Sequence, residues 1–305
     1  PNPSQVRVEE MVNYFKYNYD IPTNDQPFTV YSEIADCPWN ANSKLAMIGV
    51  RGQEVEIDEQ PPANLVYLLD VSGSMREEMW LIKPAFRLIT RQLRPQDTLS
   101  IVVYAGHDAV VLDGVSGDQK EIILAAIDDL ESGGSTNGAM GIERAYQIAT
   151  ENFKPEGNNR VILATDGDFN VGITGENALV ELIEEKADTG VFLTIYGFNN
   201  HGGHYEDQKM EELSNHGNGT YFFIDNGAEA QRAFMYSLSG TLLTIAKDVK
   251  IQAQFNPDIV RGYRLIGYDN RLLNNSDFNN DQVDAGELGN SEEMTAFYEL
   301  ILHEA

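Results

Sequence analysis

Between residues 63 and 243, short apolar runs alternate with longer segments that have the amphipathic period of an α-helix. Continuous apolar strands are typical of a parallel sheet with helices on both faces. Because parallel strands need right-handed crossovers, the pattern predicts an α/β fold with a Rossmann-like, doubly wound sheet. The predicted strands are 65–69, 99–104, 109–112, 160–165, 191–198 and 220–224; the predicted helices are 80–93, 119–130, 138–152, 176–189, 210–216 and 228–243.

The two flanks of this block have a different pattern. Five segments alternate apolar and polar residues, as strands do when one face lies in a core and the other in solvent. An isolated hairpin is only marginally stable in water, so we expect both flanks to build one β-sandwich with the α/β domain inserted into it. The domains are then 1–62, 63–243 and 244–305, and the five strands are 28–34, 44–50, 248–255, 263–268 and 295–302.

Acidic residues dominate the charge: 48 Asp and Glu against 21 Lys and Arg give a formal net charge of −27. This excludes nucleic acids and anionic lipids as partners, because both need a basic surface. The single cysteine, Cys37, allows no intramolecular disulfide and no cysteine-based zinc site. No apolar run approaches the roughly 20 residues that span a bilayer. Since Pro1 comes first and no signal-peptide pattern follows, we expect a trimmed chain whose targeting signal lies outside this sequence.

An acid-and-hydroxyl turn follows the first strand of the α/β block. Asp70, Ser72 and Ser74 stand at the carboxyl edge of the sheet, where ligands bind in open α/β folds. Their oxygens suit hard cations such as Mg²⁺, Mn²⁺ or Ca²⁺. We expect Gly73 to permit a sharp bend here. As an alternative, Asp70 and Ser72 cap the following helix.

Two later segments carry further oxygen ligands. The glycine-rich segment 133–137 contains Thr136, and the strand ending at Thr165 is followed by Asp166. Because the carboxyl ends of parallel strands meet at one edge, we expect these side chains to converge with the turn after the first strand. The candidate metal ligands are Asp70, Ser72, Ser74, Thr136 and Asp166.

This arrangement resembles the von Willebrand factor type A (VWA) domain and its metal-ion-dependent adhesion site. The family pattern of Asp-x-Ser-x-Ser, a distant Thr and a later Asp falls on the five candidate ligands. The resemblance implies that Ser72, Ser74 and Thr136 touch the metal, and that Asp70 and Asp166 act largely through water. It also implies an open coordination position that accepts a carboxylate from a partner protein.

A wider likeness extends to the bacterial YfbK-like VWA proteins. It rests on the segments 8–15, 37–40, 61–64, 165–172 and 245–250. Members of that group are typically exported, often as lipoproteins. The resemblance therefore implies a periplasmic, cell-surface or extracellular location.

We therefore expect a non-enzymatic, metal-dependent interaction or adhesion module that holds Mg²⁺, or Ca²⁺ or Mn²⁺, and binds an acidic side chain of a protein partner. One alternative is a Mg²⁺-dependent phosphohydrolase, because Asp166 and Asp168 follow a strand as a nucleophile and an acid/base do in such enzymes. A second alternative is a structural cell-envelope module whose metal site is unused.

A histidine-rich loop follows the predicted strand 191–198. His201, His204 and Tyr205 should lie over the same sheet edge as the candidate metal ligands. We expect them to form a partner-binding rim. A transition-metal site is the alternative, because two histidines stand close to two acids there.

A possible second calcium site lies near the C-terminus. Asp277, Asn279, Asp281 and Asp284 open like a calcium loop, but the glycine and the final glutamate of an EF-hand are absent. Asx-turn chemistry in a long connection explains the same residues. Near the N-terminus, the aromatic residues within 14–19 predict one face of a helix that docks on the sandwich.

Overall fold

The computed structural model describes residues 7–23, 26–105, 108–134, 138–167, 176–199, 207–236, 244–268, 272–280 and 286–303. Its helices are α1 (Val8–Asn13), α2 (Met79–Gln92), α3 (Lys120–Asp128), α4 (Gly138–Glu151), α5 (Glu176–Asp188), α6 (Asp207–His216) and α7 (Gly227–Tyr236). Its strands are β1 (Phe28–Asp36), β2 (Ser43–Gly52), β3 (Ala63–Asp70), β4 (Thr98–Tyr104), β5 (Asp108–Ser116), β6 (Asn158–Thr165), β7 (Val191–Phe198), β8 (Tyr221–Ile224), β9 (Thr244–Val249), β10 (Val260–Ile266), β11 (Gly286–Gly289) and β12 (Glu293–Leu302).

The chain divides into two compact units. The central unit is 58–243, and the flank unit combines 1–57 with 244–305. The first boundary falls a few residues before the expected position because Arg94 ties the entering chain to the central unit. Its guanidinium donates hydrogen bonds of 2.7 Å to the carbonyl oxygens of Gln60 and Pro61.

The central unit contains a six-stranded sheet in the order β5-β4-β3-β6-β7-β8. Five strands are parallel, and β5 pairs antiparallel with β4 at one edge. The chain runs from β3 to β4 on one side and later returns to β6 on the other side of β3. The strand order therefore reverses at β3 and β6, whose carboxyl ends flank the crevice where ligands bind in such sheets. The predicted doubly wound α/β fold is confirmed.

Both faces of this sheet bury a hydrophobic core. Tyr67 and Leu69 of β3 pack in the core formed with α2, α3 and α7. Val66 and Leu68 pack in the opposite core, formed with α4, α5 and α6. Because alternate residues enter opposite cores, the stretch from Leu65 to Leu69 is apolar throughout, and this is why its sequence shows no alternation.

The flank unit contains an antiparallel sheet built from both ends of the chain. Its order is β1-β2-β12-β10, so the N-terminal β2 pairs directly with the C-terminal β12. A second, two-stranded sheet joins β9 to β11. The expectation that strands from both flanks associate is confirmed by this antiparallel sheet.

In the flank unit, one strand was predicted at the wrong position and another was not predicted. The strand expected at 248–255 lies at Thr244–Val249, and β11 was not predicted. The segment 250–256 has no regular secondary structure. Its alternation reflects side-chain packing instead, because the ring of Phe255 lies against those of Tyr263 and Tyr298 at 5.0 and 5.3 Å.

The N-terminal aromatic residues do not form a helical face. The helix α1 ends at Asn13, before all of them. Tyr19 is buried and its hydroxyl lies 2.8 Å from that of Thr295, and Tyr17 packs edge-on against Phe297. Tyr17 and Tyr19 therefore reach the sheet from an extended segment, whereas Phe15 stays exposed.

Glu299 of β12 offers a test of the flank sheet by pH. Its carboxylate accepts hydrogen bonds from four side chains, and these lower its pKa from 4.5 to about 2. We expect Glu299→Gln to be less stable than wild type above about pH 5, because a lowered carboxyl pKa stabilises the fold while that carboxyl is ionised. The difference should disappear as the pH falls to about 2. The donors are Asn40, Arg264, Ser43 and Trp39.

Urea unfolding of both proteins between pH 2 and 7 measures this difference. Glu33→Gln, at an exposed position of β1, is the control and should show a smaller pH-dependent change. A Glu299→Gln difference that stays constant across this range would contradict the prediction.

Candidate metal centre

The loop after β3 places two hydroxyls beside a buried carboxylate. Asp70 is fully buried, and its Oδ1 accepts a 2.8 Å hydrogen bond from the backbone N–H of Ser72. The Oγ of Ser72 lies 3.0 Å from the Oγ of Ser74. A short 3₁₀ helix, Ser74–Glu77, follows at once. The three predicted side chains therefore lie together on one turn.

The alternative in which Asp70 and Ser72 cap a helix is wrong. In the described part of the chain, neither the 3₁₀ helix nor α2 receives a side-chain hydrogen bond at its N-cap. The expectation that a glycine is needed at Gly73 to permit a sharp bend is also wrong, because its φ of −62° lies in the right-handed region that any residue adopts. The glycines that adopt positive φ here are Gly134, at 96°, and Gly167, at 86°.

The glycine-rich segment is hydrogen-bonded to the loop after β3. The N–H of Gly133 donates to the carbonyl oxygen of Val71 at 2.7 Å, and the N–H of Gly73 donates to that of Gly134 at 3.1 Å. Thr136 itself lies outside the described residues. The first part of the segment that carries it nevertheless lies against the predicted site.

Asp166 follows β6, the strand adjacent to β3. The register pairs Leu69 with Ala164, so Asp70 and the last residue of β6 end neighbouring strands. The Oγ1 of Thr165 accepts a 3.2 Å hydrogen bond from the N–H of Gly167, which fixes the turn around Asp166. The structure thus brings Asp70, Ser72, Ser74 and Asp166 to one edge of the sheet.

The electrostatics of this edge favour a cation. The pKa of Asp70 is raised to about 6, mainly because the carboxyl is buried and also because Asp166 is nearby; hydrogen bonds from Ser72 act in the opposite direction. The second oxygen, Oδ2, is buried and makes no hydrogen bond of regular geometry to any described residue. The Tyr104 hydroxyl is close enough to lower the pKa slightly. A buried carboxylate that is ionised is unfavourable unless a positive charge compensates it.

The donor set fits a hard divalent ion. Two carboxylates and two hydroxyls offer oxygen alone, which suits Mg²⁺, Mn²⁺ or Ca²⁺. Over the described ranges, no group of three or more His, Cys, Asp or Glu side chains could hold a metal. An ion at this edge would therefore depend on hydroxyl ligands as well as on acids, as the predicted pattern requires.

The sequence analysis missed two exposed side chains next to this loop. Arg76 lies in the 3₁₀ helix, and Trp80 lies in the first turn of α2 with 60 % of its surface exposed. Arg76 makes no ion pair with another described residue. A signal for Trp80 was present, because the buried residues of α2 recur with helical period from Leu81 onward and Trp80 falls outside that face.

Two predicted sites are not tested. His201, His204 and Tyr205, the expected rim, lie outside the described residues.

The possible second calcium site is described only in part, because Asp281 and Asp284 also lie outside the described residues. Within the described part, Asp277 accepts a 2.9 Å hydrogen bond from the side chain of Asn274, which is compatible with turn chemistry. Asn279 follows in the turn after this segment.

Comparison with known families identifies the central unit of the chain. The family model for the von Willebrand factor type A domain matches residues 64–235. The chain belongs to the VWA family. Its central unit is the VWA domain, and the flanks match two further models, described as "von Willebrand factor" (1–47) and "Uncharacterized protein YfbK, C-terminal" (240–305). No helix in the described ranges combines the length and apolarity needed to cross a membrane.

Curated relatives extend the comparison beyond the VWA domain. "Uncharacterized protein YfbK" of Escherichia coli (strain K12) is 42 % identical over 312 residues, covering 99 % of this chain and 54 % of that protein. Inter-alpha-trypsin inhibitor heavy chain H3 of Bos taurus is 28 % identical over 193 residues, covering 60 % and 22 %. The resemblance to YfbK-like proteins is confirmed. The chain spans 54 % of the length of YfbK and 22 % of the length of the inhibitor heavy chain.

A solved structure is similar in fold. The "von Willebrand factor type A from Catenulispora acidiphila" superposes with a TM-score of 0.56 at 15 % identity, covering 93 % of this chain and 68 % of that one. The similarity spans both units of the chain, so the pairing of a VWA domain with flanking strands is not unique to this protein.

Proposed function

We propose that this chain is a non-enzymatic interaction module that binds a carboxylate of a partner protein through a divalent cation. The observation that supports this most directly is the buried Oδ2 of Asp70, which makes no hydrogen bond of regular geometry to any described residue although a second acid and two hydroxyls lie beside it. Such a group is stabilised when a cation binds. The residues that would hold the ion are Asp70, Ser72, Ser74 and Asp166, with Thr136 as the fifth.

When bound, the ion supplies an electrophilic position for an incoming carboxylate. The three side chains that would touch the ion, Ser72, Ser74 and Thr136, are neutral, and the two acids would act largely through water, so the ion would stay electrophilic. The residues of this chain orient and shield the site. The N–H of Ser72 fixes one oxygen of Asp70, and the paired hydroxyls of Ser72 and Ser74 lie side by side. Arg76 and Trp80 are exposed nearby and would meet the partner.

We also propose that the protein acts outside the cytoplasm, at the cell surface, in the periplasm or in the medium. The support is the similarity to the YfbK-like group, whose members are typically exported. The acidic surface is compatible with this role, because it disfavours nucleic acids and anionic lipids and leaves proteins as the partner class.

Release by chelation tests the proposed function. We expect a partner captured from an extract of the source cells on immobilised chain in Mg²⁺ to elute with EDTA and to rebind when Mn²⁺ is added, because the ion bridges the two proteins. Immobilised Asp70→Asn should capture none, whereas Asp118→Asn, at an exposed position of the same domain, should behave as wild type.

Two outcomes would count against the interaction module. Partner retention in EDTA would show that the contact does not need the ion. Turnover of p-nitrophenyl phosphate that is lost in Asp166→Asn would favour the phosphohydrolase instead.

A further inference from the structure

The strand β1 is an unusually open edge of the flank sheet. It pairs with β2 over its whole length, from Phe28 opposite Gly52 to Asp36 opposite Lys44, without a register shift. Among the described residues, no strand pairs with its other side. A long, regular edge of this kind is a template for a further strand, and proteins usually protect such edges.

The side chains of β1 make this edge apolar. Phe28, Val30 and Ile34 lie on one face of the strand and are 40, 64 and 65 % exposed. The strand contains no proline, lysine or bulge. The opposite edge, β10, differs: it is interrupted by a register shift near Gly262 and carries Arg261. The β10 edge therefore combines a register shift with a basic residue, two features that prevent pairing, whereas the charges of β1 are confined to Glu33 and Asp36 and its pairing is regular.

Backbone hydrogen bonds show which groups of β1 point outward. The N–H of Cys37 donates to the carbonyl oxygen of Ser43 at 3.2 Å, and the carbonyl oxygen of Pro27 accepts from Gln53 at 2.8 Å. Because antiparallel strands bond at every second residue, the odd-numbered residues of β1 face β2. The even-numbered residues direct their N–H and C=O groups away from it, and no described residue bonds to these groups. They are Phe28, Val30, Ser32, Ile34 and Asp36.

We propose that two copies of this chain pair edge to edge through β1, antiparallel and with the two-fold axis at Ser32. In this register all five outward residues of one copy face outward residues of the other, so every outward backbone donor and acceptor finds a partner. The apolar side chains of the two copies become cross-strand neighbours at the same time. The pairs across the axis are Phe28 with Asp36, Val30 with Ile34, and Ser32 with Ser32 of the second copy.

Charge selects this register among the nearby ones. With the axis at Ser32, Glu33 lies opposite Tyr31, and these side chains already approach to 3.5 Å within one copy as hydroxyl donor and carboxylate acceptor. Moving the axis to Glu33 would place two glutamates opposite each other, which is unfavourable. Moving it to Tyr31 would leave Asp36 and its outward backbone groups unpaired.

The net charge of −27 on each copy opposes association and makes it depend on salt. We therefore expect dimer formation to strengthen between about 0.05 and 0.5 M NaCl, because the Debye length falls from about 14 to 4 Å over that range. An interface formed mainly by ion pairs would weaken over the same range. The sign of the salt effect therefore distinguishes an apolar strand pair from an electrostatic contact.

Sedimentation velocity of the whole chain over a concentration series tests the proposal. We expect Val30→Lys to weaken the dimer at least about tenfold, because the outward edge then carries a lysine. Ile259→Lys, at a similarly exposed residue (55 %) next to the opposite edge strand, is the matched control and should leave the dimer unchanged. Melting temperatures of both variants show that the fold is retained.

Two further variants test the register. Ser32→Pro removes an outward N–H without removing a bond to β2, so it should abolish the dimer and keep the monomer folded. Ser32→Cys should form a disulfide-linked dimer on mild oxidation, because paired Cα atoms at about 5.5 Å suit a disulfide. Wild type, whose single Cys37 is buried, should not. A chain that stays monomeric at high salt, or a dimer that survives both Val30→Lys and Ser32→Pro, would overturn the proposal.

Discussion

Asp70→Asn is expected to abolish the metal-induced rise in the melting temperature of the VWA domain. In wild type, a cation at about 100 times its Kd adds about 2.7 kcal/mol to the free energy of unfolding. For a domain of this size that corresponds to roughly 5–10 °C. The asparagine keeps an oxygen for the N–H of Ser72 but removes the buried charge. The metal-free variant should therefore be no less stable than metal-free wild type.

Thermal unfolding in EDTA, Mg²⁺, Mn²⁺ and Ca²⁺ measures this effect. Asp118→Asn, which changes an exposed acid of the same domain, should keep the full shift. An undiminished Mg²⁺ or Mn²⁺ shift in Asp70→Asn would disprove the predicted ligand set. A shift that survives with Ca²⁺ alone would indicate a second site, for which the segment around Asp277 is the candidate.

Phe86→Ala should destabilise the VWA domain by about 3–5 kcal/mol, the usual cost of removing a buried phenylalanine ring. Phe86 lies on α2 and is completely buried. Its ring is 4.5 Å from that of Tyr67 on β3 and 5.6 Å from that of Phe234 on α7, measured between centroids. Truncation would leave a cavity where one helix layer meets the sheet.

Urea unfolding followed by circular dichroism measures this loss in the transition of the VWA domain. Trp80→Ala is a stringent control, because it removes a larger ring from the same helix at an exposed position. Its free energy of unfolding should stay within about 0.5 kcal/mol of wild type. A loss below about 1 kcal/mol in Phe86→Ala would show that the core collapses around the missing ring.

The central fold was predictable because its strands are buried on both faces. β3 and β7 each contain a continuous apolar or nearly apolar run, and such runs between helical segments allow few arrangements. The placement of Asp70, Ser72, Ser74 and Asp166 followed from the same rule, since parallel strands bring their carboxyl ends to one edge. At this site, the spacing of the residues in the sequence and the topology of the sheet predict the same location.

Prediction failed where tertiary contacts decide the structure. The strand β11 has the sequence Gly-Glu-Leu-Gly and no alternation of its own, so its pairing with β9 depends on distant residues. The segment before Pro257 alternates without being a strand because Phe255 packs through its ring. The conformation of Gly73 was also misjudged, because its φ is negative and the glycines with positive φ near the site are Gly134 and Gly167.

The pairing of β2 with β12 has a consequence for biosynthesis. The ribosome releases β1 and β2 about two hundred residues before their remaining partner strands, and a lone hairpin is barely stable in water. The VWA domain lies wholly between them and can complete its local contacts first. Completion of the flank sheet therefore has to await synthesis of β10 and β12, and a nascent chain stalled after the VWA domain would expose both faces of an unfinished hairpin to proteases and chaperones.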